Sequence, residues 1–139
     1  MRLHKLLLAS ATLAAAIVAF AAISAFAASP LKITNCNQAS SRPKSFTLAC
    51  GDGNTVLKGL KWSSFGGATA QAKGTFTINL CEPNCAAGKA ASFPVTVKAS
   101  DPRNCKGGLR VYDKVTLKFK GKSPKTGGEP NRWTLGCPT

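Results

Sequence analysis

Six cysteines, Cys36, Cys50, Cys81, Cys85, Cys105 and Cys137, are the side chains of this 139-residue chain best suited to chemistry. Thiols can hold a metal, exchange electrons or form disulfides. A metal site is disfavoured. Cys81-Glu82-Pro83-Asn84-Cys85 is a C-x3-C spacing with no second close pair, and the only histidine, His4, lies at the start of the chain. Redox exchange typically uses C-x-x-C, which does not occur. An even cysteine count in an exported chain reads as a disulfide framework. Spacing alone leaves the pairing open. The favoured set is sequential: Cys36–Cys50, Cys81–Cys85 and Cys105–Cys137. The main competitor joins Cys50 to Cys105 across two facing sheets, as in immunoglobulin domains.

The other reactive types are sparse. Gly51-Asp52-Gly53-Asn54 could offer oxygens to calcium, but an EF-hand loop needs more ligands and a late Glu. A hairpin turn, with Asp52 and Asn54 bonding local amides, is the simpler reading. Ser63, Ser64 and Lys61 lack any G-x-S-x-G or S-x-x-K setting. Five scattered acids offer little for general acid–base work. The expectation is a protein that is not an enzyme, with no cofactor and no metal.

Charge is the strongest functional signal. Nineteen Lys and Arg stand against five Asp and Glu, a net charge of +14. Lys114, Lys118 and Lys120 share one parity and therefore one strand face, and Lys106, Arg110 and Lys122 lie near them in sequence. These six form a candidate anion-binding face. Such a face attracts polyanions through long-range fields and counterion release. The expected partners are anionic cell-wall or other extracellular polymers. Aromatic–basic interleaving is too thin for specific nucleic-acid binding. The alternative is a protein-interaction or inhibitor module, using the loops at Cys81–Gly88 and Lys120–Asn131. A monomer is expected.

The elements that carry these groups begin after a leader. Arg2, His4 and Lys5 precede an uncharged Leu- and Ala-rich run, which ends in Ala25-Phe26-Ala27. This is the pattern of a secretory signal peptide cut after Ala27, which places the remaining domain, residues 28–139, outside the cell. The alternative is an uncleaved anchor. No transmembrane segment is expected after processing. Without the leader, the charge is +12 on 112 residues, and only 23 large apolar side chains remain besides Ala and Cys. That is a thin core for a small domain, and disulfides are the usual supplement.

Short alternating runs follow: Phe46–Cys50, Leu60–Trp62, Phe76–Leu80, Phe93–Ala99, Val115–Phe119, and Trp133 with Leu135. Each is bounded by Gly, Pro, Asn or Asp. Period-2 runs with regular turn signals predict an all-β fold. The expected form is a small antiparallel β-sandwich stapled by disulfides, with an immunoglobulin-like arrangement as one option. Pro94 places its run at a sheet edge or at a strand start. Asp101-Pro102-Arg103-Asn104 reads as a turn. Trp62 shares parity with Leu60 and is expected in the core.

Several segments together resemble a group of small secreted actinobacterial proteins of unknown function. They are Thr47-Leu48-Ala49-Cys50-Gly51-Asp52-Gly53-Asn54, Leu60-Lys61-Trp62-Ser63-Ser64-Phe65-Gly66 and Asn79-Leu80-Cys81-Glu82-Pro83-Asn84-Cys85-Ala86-Ala87-Gly88. The resemblance covers roughly residues 42 to 98. Phe65 stands where similar proteins tend to have a second Trp, and Ala72 stands where Gly is expected. The resemblance implies one β domain made for export and carries no activity.

Overall fold

The computed structural model describes residues 28–125 and 129–139, so the leader expected over residues 1–27 lies outside the described residues. Eight strands account for nearly all regular structure. They are β1 (Leu31–Asn35), β2 (Gln38–Ser40), β3 (Phe46–Thr47), β4 (Thr55–Ser64), β5 (Ala70–Asn79), β6 (Ala90–Asn104), β7 (Arg110–Phe119) and β8 (Arg132–Thr134). The 3-10 turn Lys106–Gly108 links β6 to β7. The described part is therefore all-β and antiparallel in the main, as its alternating runs predict. Among the described residues the one parallel pair is β1 with β7.

The strands follow one hydrogen-bonded path, β2-β1-β7-β6-β5-β4-β3, with β8 added to β7. Four long strands, β4 to β7, make the body of the sheet. Their inward positions alternate as Leu57 on β4, Ala72 and Phe76 on β5, Val95, Val97 and Ala99 on β6, and Val115 and Leu117 on β7. Burying one Leu, Val or Phe side chain contributes about 1.5–3 kcal/mol. Phe76 sits at the centre of this core and meets Phe119 edge-on with centroids 5.4 Å apart.

The sheet curls so that β3, at one end of the path, comes alongside β1 near the other. No strand ladder closes this seam. The Thr47 N–H donates to Asn35 Oδ1 at 3.0 Å, and the Cys36–Cys50 disulfide lies beside it. A second disulfide, Cys105–Cys137, fastens the C-terminal segment to the β6–β7 end. Thr34 Oγ1 on β1 donates to the Gly136 carbonyl at 2.8 Å. The third bridge, Cys81–Cys85, closes the β5–β6 connection. The pairing is thus sequential. Cys50 and Cys105 each have another partner, so the inter-sheet bridge of immunoglobulin domains has no counterpart.

Three local expectations change. Pro94 lies inside β6, a strand paired on both sides, not at an edge or a strand start. Its carbonyl accepts from Lys120 N at 2.9 Å, so its amide side faces the point where β7 ends at Phe119. The donor it lacks falls where the ladder is already stopping. Asp101 to Asn104 continue β6 instead of turning, because β7 pairs with Pro102, Arg103 and Asn104. The irregularity shows as a left-handed φ of 55° at Asp101 and as a gap in the pairing opposite Asp113. Strands β1 and β2 have no counterpart among the alternating runs.

Trp62 is half-buried against the core, and its indole N–H donates to the Pro43 carbonyl at 2.9 Å. Gly51 to Asn54 form the expected hairpin turn between β3 and β4. Asp52 accepts from the Asn54 amide and from its side chain, each at 3.0 Å.

Candidate functional site

Strand register decides which cations share a surface. Lys61 on β4 pairs with Lys73 on β5, Lys73 with Thr96 on β6, and Thr96 with Lys118 on β7. All three lysines are exposed and alternate with core positions on their own strands. The next row runs Gln71, Lys98, Thr116 and Arg132 across β5, β6, β7 and β8. On the other side of the first row, Lys58 pairs with Thr75, and Thr75 with Pro94. Neighbouring strands lie about 4.8 Å apart and successive outward residues about 6.7 Å. Lys73 and Lys118 are therefore separated by about 10 Å on the sheet, with Lys98 one row away.

The outer face of β4 to β8 is thus a grid of ammonium groups separated by Thr hydroxyls, and Trp133 on β8 packs against the core instead. The register of β4 needs one irregularity to hold this grid. Lys58 and Lys61 both face outward although three residues apart, because the pairing shifts between them. Gly59 takes a φ of 61° at that shift, a left-handed conformation that glycine adopts without penalty.

The six cations singled out in the sequence do not all join this grid. Lys114 and Lys118 lie on the outward side of β7, and Lys120 follows at its end beside Pro94. Lys122 lies in the following loop, and Lys106 opens the 3-10 turn beyond β6. Arg110 begins β7 but is half-buried, and its Nη1 donates to the Ser29 carbonyl at 3.3 Å. Alternation breaks between these ends of β7, since Tyr112 and Val115 both belong to the core. Arg110 therefore does not share the face of Lys114 and Lys118. Lys61, Lys73 and Lys98 were missed. Their outward parity is readable in each run, but their alignment depends on which strands become neighbours.

Acids barely touch the grid. Among the described residues the ion pairs are two: Lys114 with Asp101 at 2.7 Å, and Arg103 with Asp113 at 3.1 Å. The Asp101 carboxylate, hydrogen-bonded to Lys114, raises that ammonium above the ordinary lysine value. Lys114 thus faces a carboxylate partner, whereas Lys61, Lys73, Lys98 and Lys118 have no such ion pair among the described residues. Asp113 is buried, and its Oδ1 has no hydrogen-bond partner.

The described residues contain no group of three His, Cys, Asp or Glu side chains placed to hold a metal ion, and no helix long and apolar enough to cross a membrane. No protein-family model, curated protein or solved structure significantly matches this chain.

Proposed function

We propose that this protein is a secreted, non-catalytic β domain that associates with anionic cell-wall or extracellular polymers through the lysine grid of β4 to β8. One observation carries the reading: register puts Lys61, Lys73, Lys98 and Lys118, from four strands, on one outward face with no acid paired to any of them. Lysine ammoniums act as separated point charges, which suits a flexible chain of anions more than one planar, two-pronged group. Export is supported by the leader pattern of residues 1–27 and by three disulfides, which persist in oxidising compartments. The motif resemblance to small secreted actinobacterial proteins is consistent with it.

The test compares two triple variants of equal charge. Lys73→Glu/Lys98→Glu/Lys118→Glu reverses the grid. Lys44→Glu/Lys89→Glu/Lys106→Glu changes exposed lysines outside it. Elution from heparin resin and sedimentation with purified cell-wall polymer are measured across a salt series. The grid variant is expected to elute at much lower salt, and the control to stay near the parent. Equal losses in both would reduce the effect to net charge and overturn the reading.

A further inference from the structure

A second site lies where the β4–β5 connection meets the start of β7. An open cavity of about 620 Å³ is lined there by Ser29, Ser41, Arg42, Phe65, Gly66 and Arg110, among others. Two guanidiniums from distant parts of the chain line it, and no Asp or Glu does. The Arg42 guanidinium carbon stands 5.9 Å from the Phe65 ring centroid, a cation–π geometry. Phe65 is itself fixed edge-on by Trp62 at 4.9 Å and by Tyr112 at 5.6 Å. Arg110 spends one donor on the Ser29 carbonyl, which anchors it and leaves further N–H groups of its fork unspent on that bond.

The backbone adds an independent sign. Arg42 has a φ of 46°, a left-handed conformation that costs a non-glycine residue energy. Such strain concentrates at functional sites, where it fixes the direction of a side chain. Gly66 lines the cavity, and its N–H is already spent on Tyr112 Oη at 2.9 Å. The cavity therefore offers planar guanidinium forks beside a flat ring instead of the nest of amides that wraps a tetrahedral dianion.

We infer that this cavity binds a carboxylate attached to a planar apolar body, with Arg42 and Arg110 taking the carboxylate and Phe65 the body. The site is separate from the lysine grid and reads a single small anion.

Benzoate serves as the probe and benzamide as its uncharged twin, titrated into the whole disulfide-bonded protein. Binding is followed by the NMR shift of the Gly66 amide. Benzoate should give a saturable shift, and benzamide should bind at least tenfold more weakly. Arg42→Gln should weaken benzoate about tenfold. Arg42 is exposed, so the variant should fold, which its amide spectrum verifies. Arg110→Gln should act in the same direction, while Lys89→Gln should not. Equal binding of benzoate and benzamide, an unchanged affinity in Arg42→Gln, or no saturable shift at Gly66 would each overturn the assignment.

Discussion

The hydroxyl of Tyr112 on β7 holds the turn at Gly66 from across the molecule. It accepts from Gly66 N–H at 2.9 Å and donates to the Gly67 carbonyl at 2.8 Å. The tyrosine side chain is fully buried, whereas Gly66 and Gly67 lie at the surface. This single oxygen ties a core strand to the β4–β5 connection, whose Gly66 lines the arginine cavity.

Tyr112→Phe should cost about 1–3 kcal/mol, because it removes two hydrogen bonds of about 0.5–1.5 kcal/mol each while keeping the ring. Urea unfolding measures the loss. The same variant should loosen Gly66, seen as faster amide hydrogen exchange at that residue with unchanged exchange in β6. A stability equal to the parent would mean that water takes over both partners.

The three disulfides should contribute unequally. They join residues 14, 4 and 32 positions apart for Cys36–Cys50, Cys81–Cys85 and Cys105–Cys137. Loop-closure entropy predicts about 3, 2 and 4 kcal/mol respectively. Pairwise Cys→Ser variants followed by urea denaturation should rank in that order, with Cys105/Cys137 the most damaging. A chain with so few large apolar residues has little margin, so losing that bridge should leave a substantial unfolded fraction at 37 °C.

Asp101→Asn should strengthen polyanion binding. It releases Lys114 from its carboxylate partner and removes one negative charge beside the grid. The left-handed backbone at Asp101 suits Asn, so the fold should be kept. The Lys114 pKa should fall back towards the ordinary lysine value, which still leaves it charged at neutral pH. As pH rises, the variant's Lys114 gives up its proton before the parent's does, so the variant's advantage should shrink as pH passes the ordinary lysine value. In a plot of log affinity against log salt at pH 7, the variant should be steeper by about one. An unchanged slope would show that Lys114 takes no part.

Gly74→Ala should be destabilising although it lies in a strand. A Cβ there would come within 2.8 Å of both Leu60 Cδ2 and the Lys58 carbonyl oxygen. Both neighbours belong to the irregular part of β4, and the carbonyl is backbone that cannot step aside. Overpacking of this kind costs about 1–3 kcal/mol. Because the same shift sets Lys58 and Lys61 outward, the variant should also lower heparin affinity more than Gly67→Ala, where the nearest atom is 3.8 Å away.

Much of the fold was readable along the chain. Alternation in Phe76–Leu80, Phe93–Ala99 and Val115–Phe119 marked the hearts of β5, β6 and β7, because a half-buried strand must alternate. It did not mark their ends. β6 runs on through Asp101 to Asn104 because β7 offers partners there, and that is a property of the neighbour. Pro94 was misplaced for the same reason: whether a missing amide matters depends on what lies opposite. Strands β1 and β2 lack a strong pattern of their own, and their place is held by β7, by Asn35 Oδ1 and by the Cys36–Cys50 bridge.

Composition and spacing by themselves determined an all-β chain with six cysteines and a large excess of positive charge, since these are local or additive properties. Only the tertiary structure decided which charges act together. Lys61, Lys73, Lys98 and Lys118 are far apart in sequence and become neighbours through strand order and register, whereas Arg110, four residues from Lys114, faces elsewhere. Coulomb fields depend on distance in space, and hydrogen-bonded pairing sets those distances.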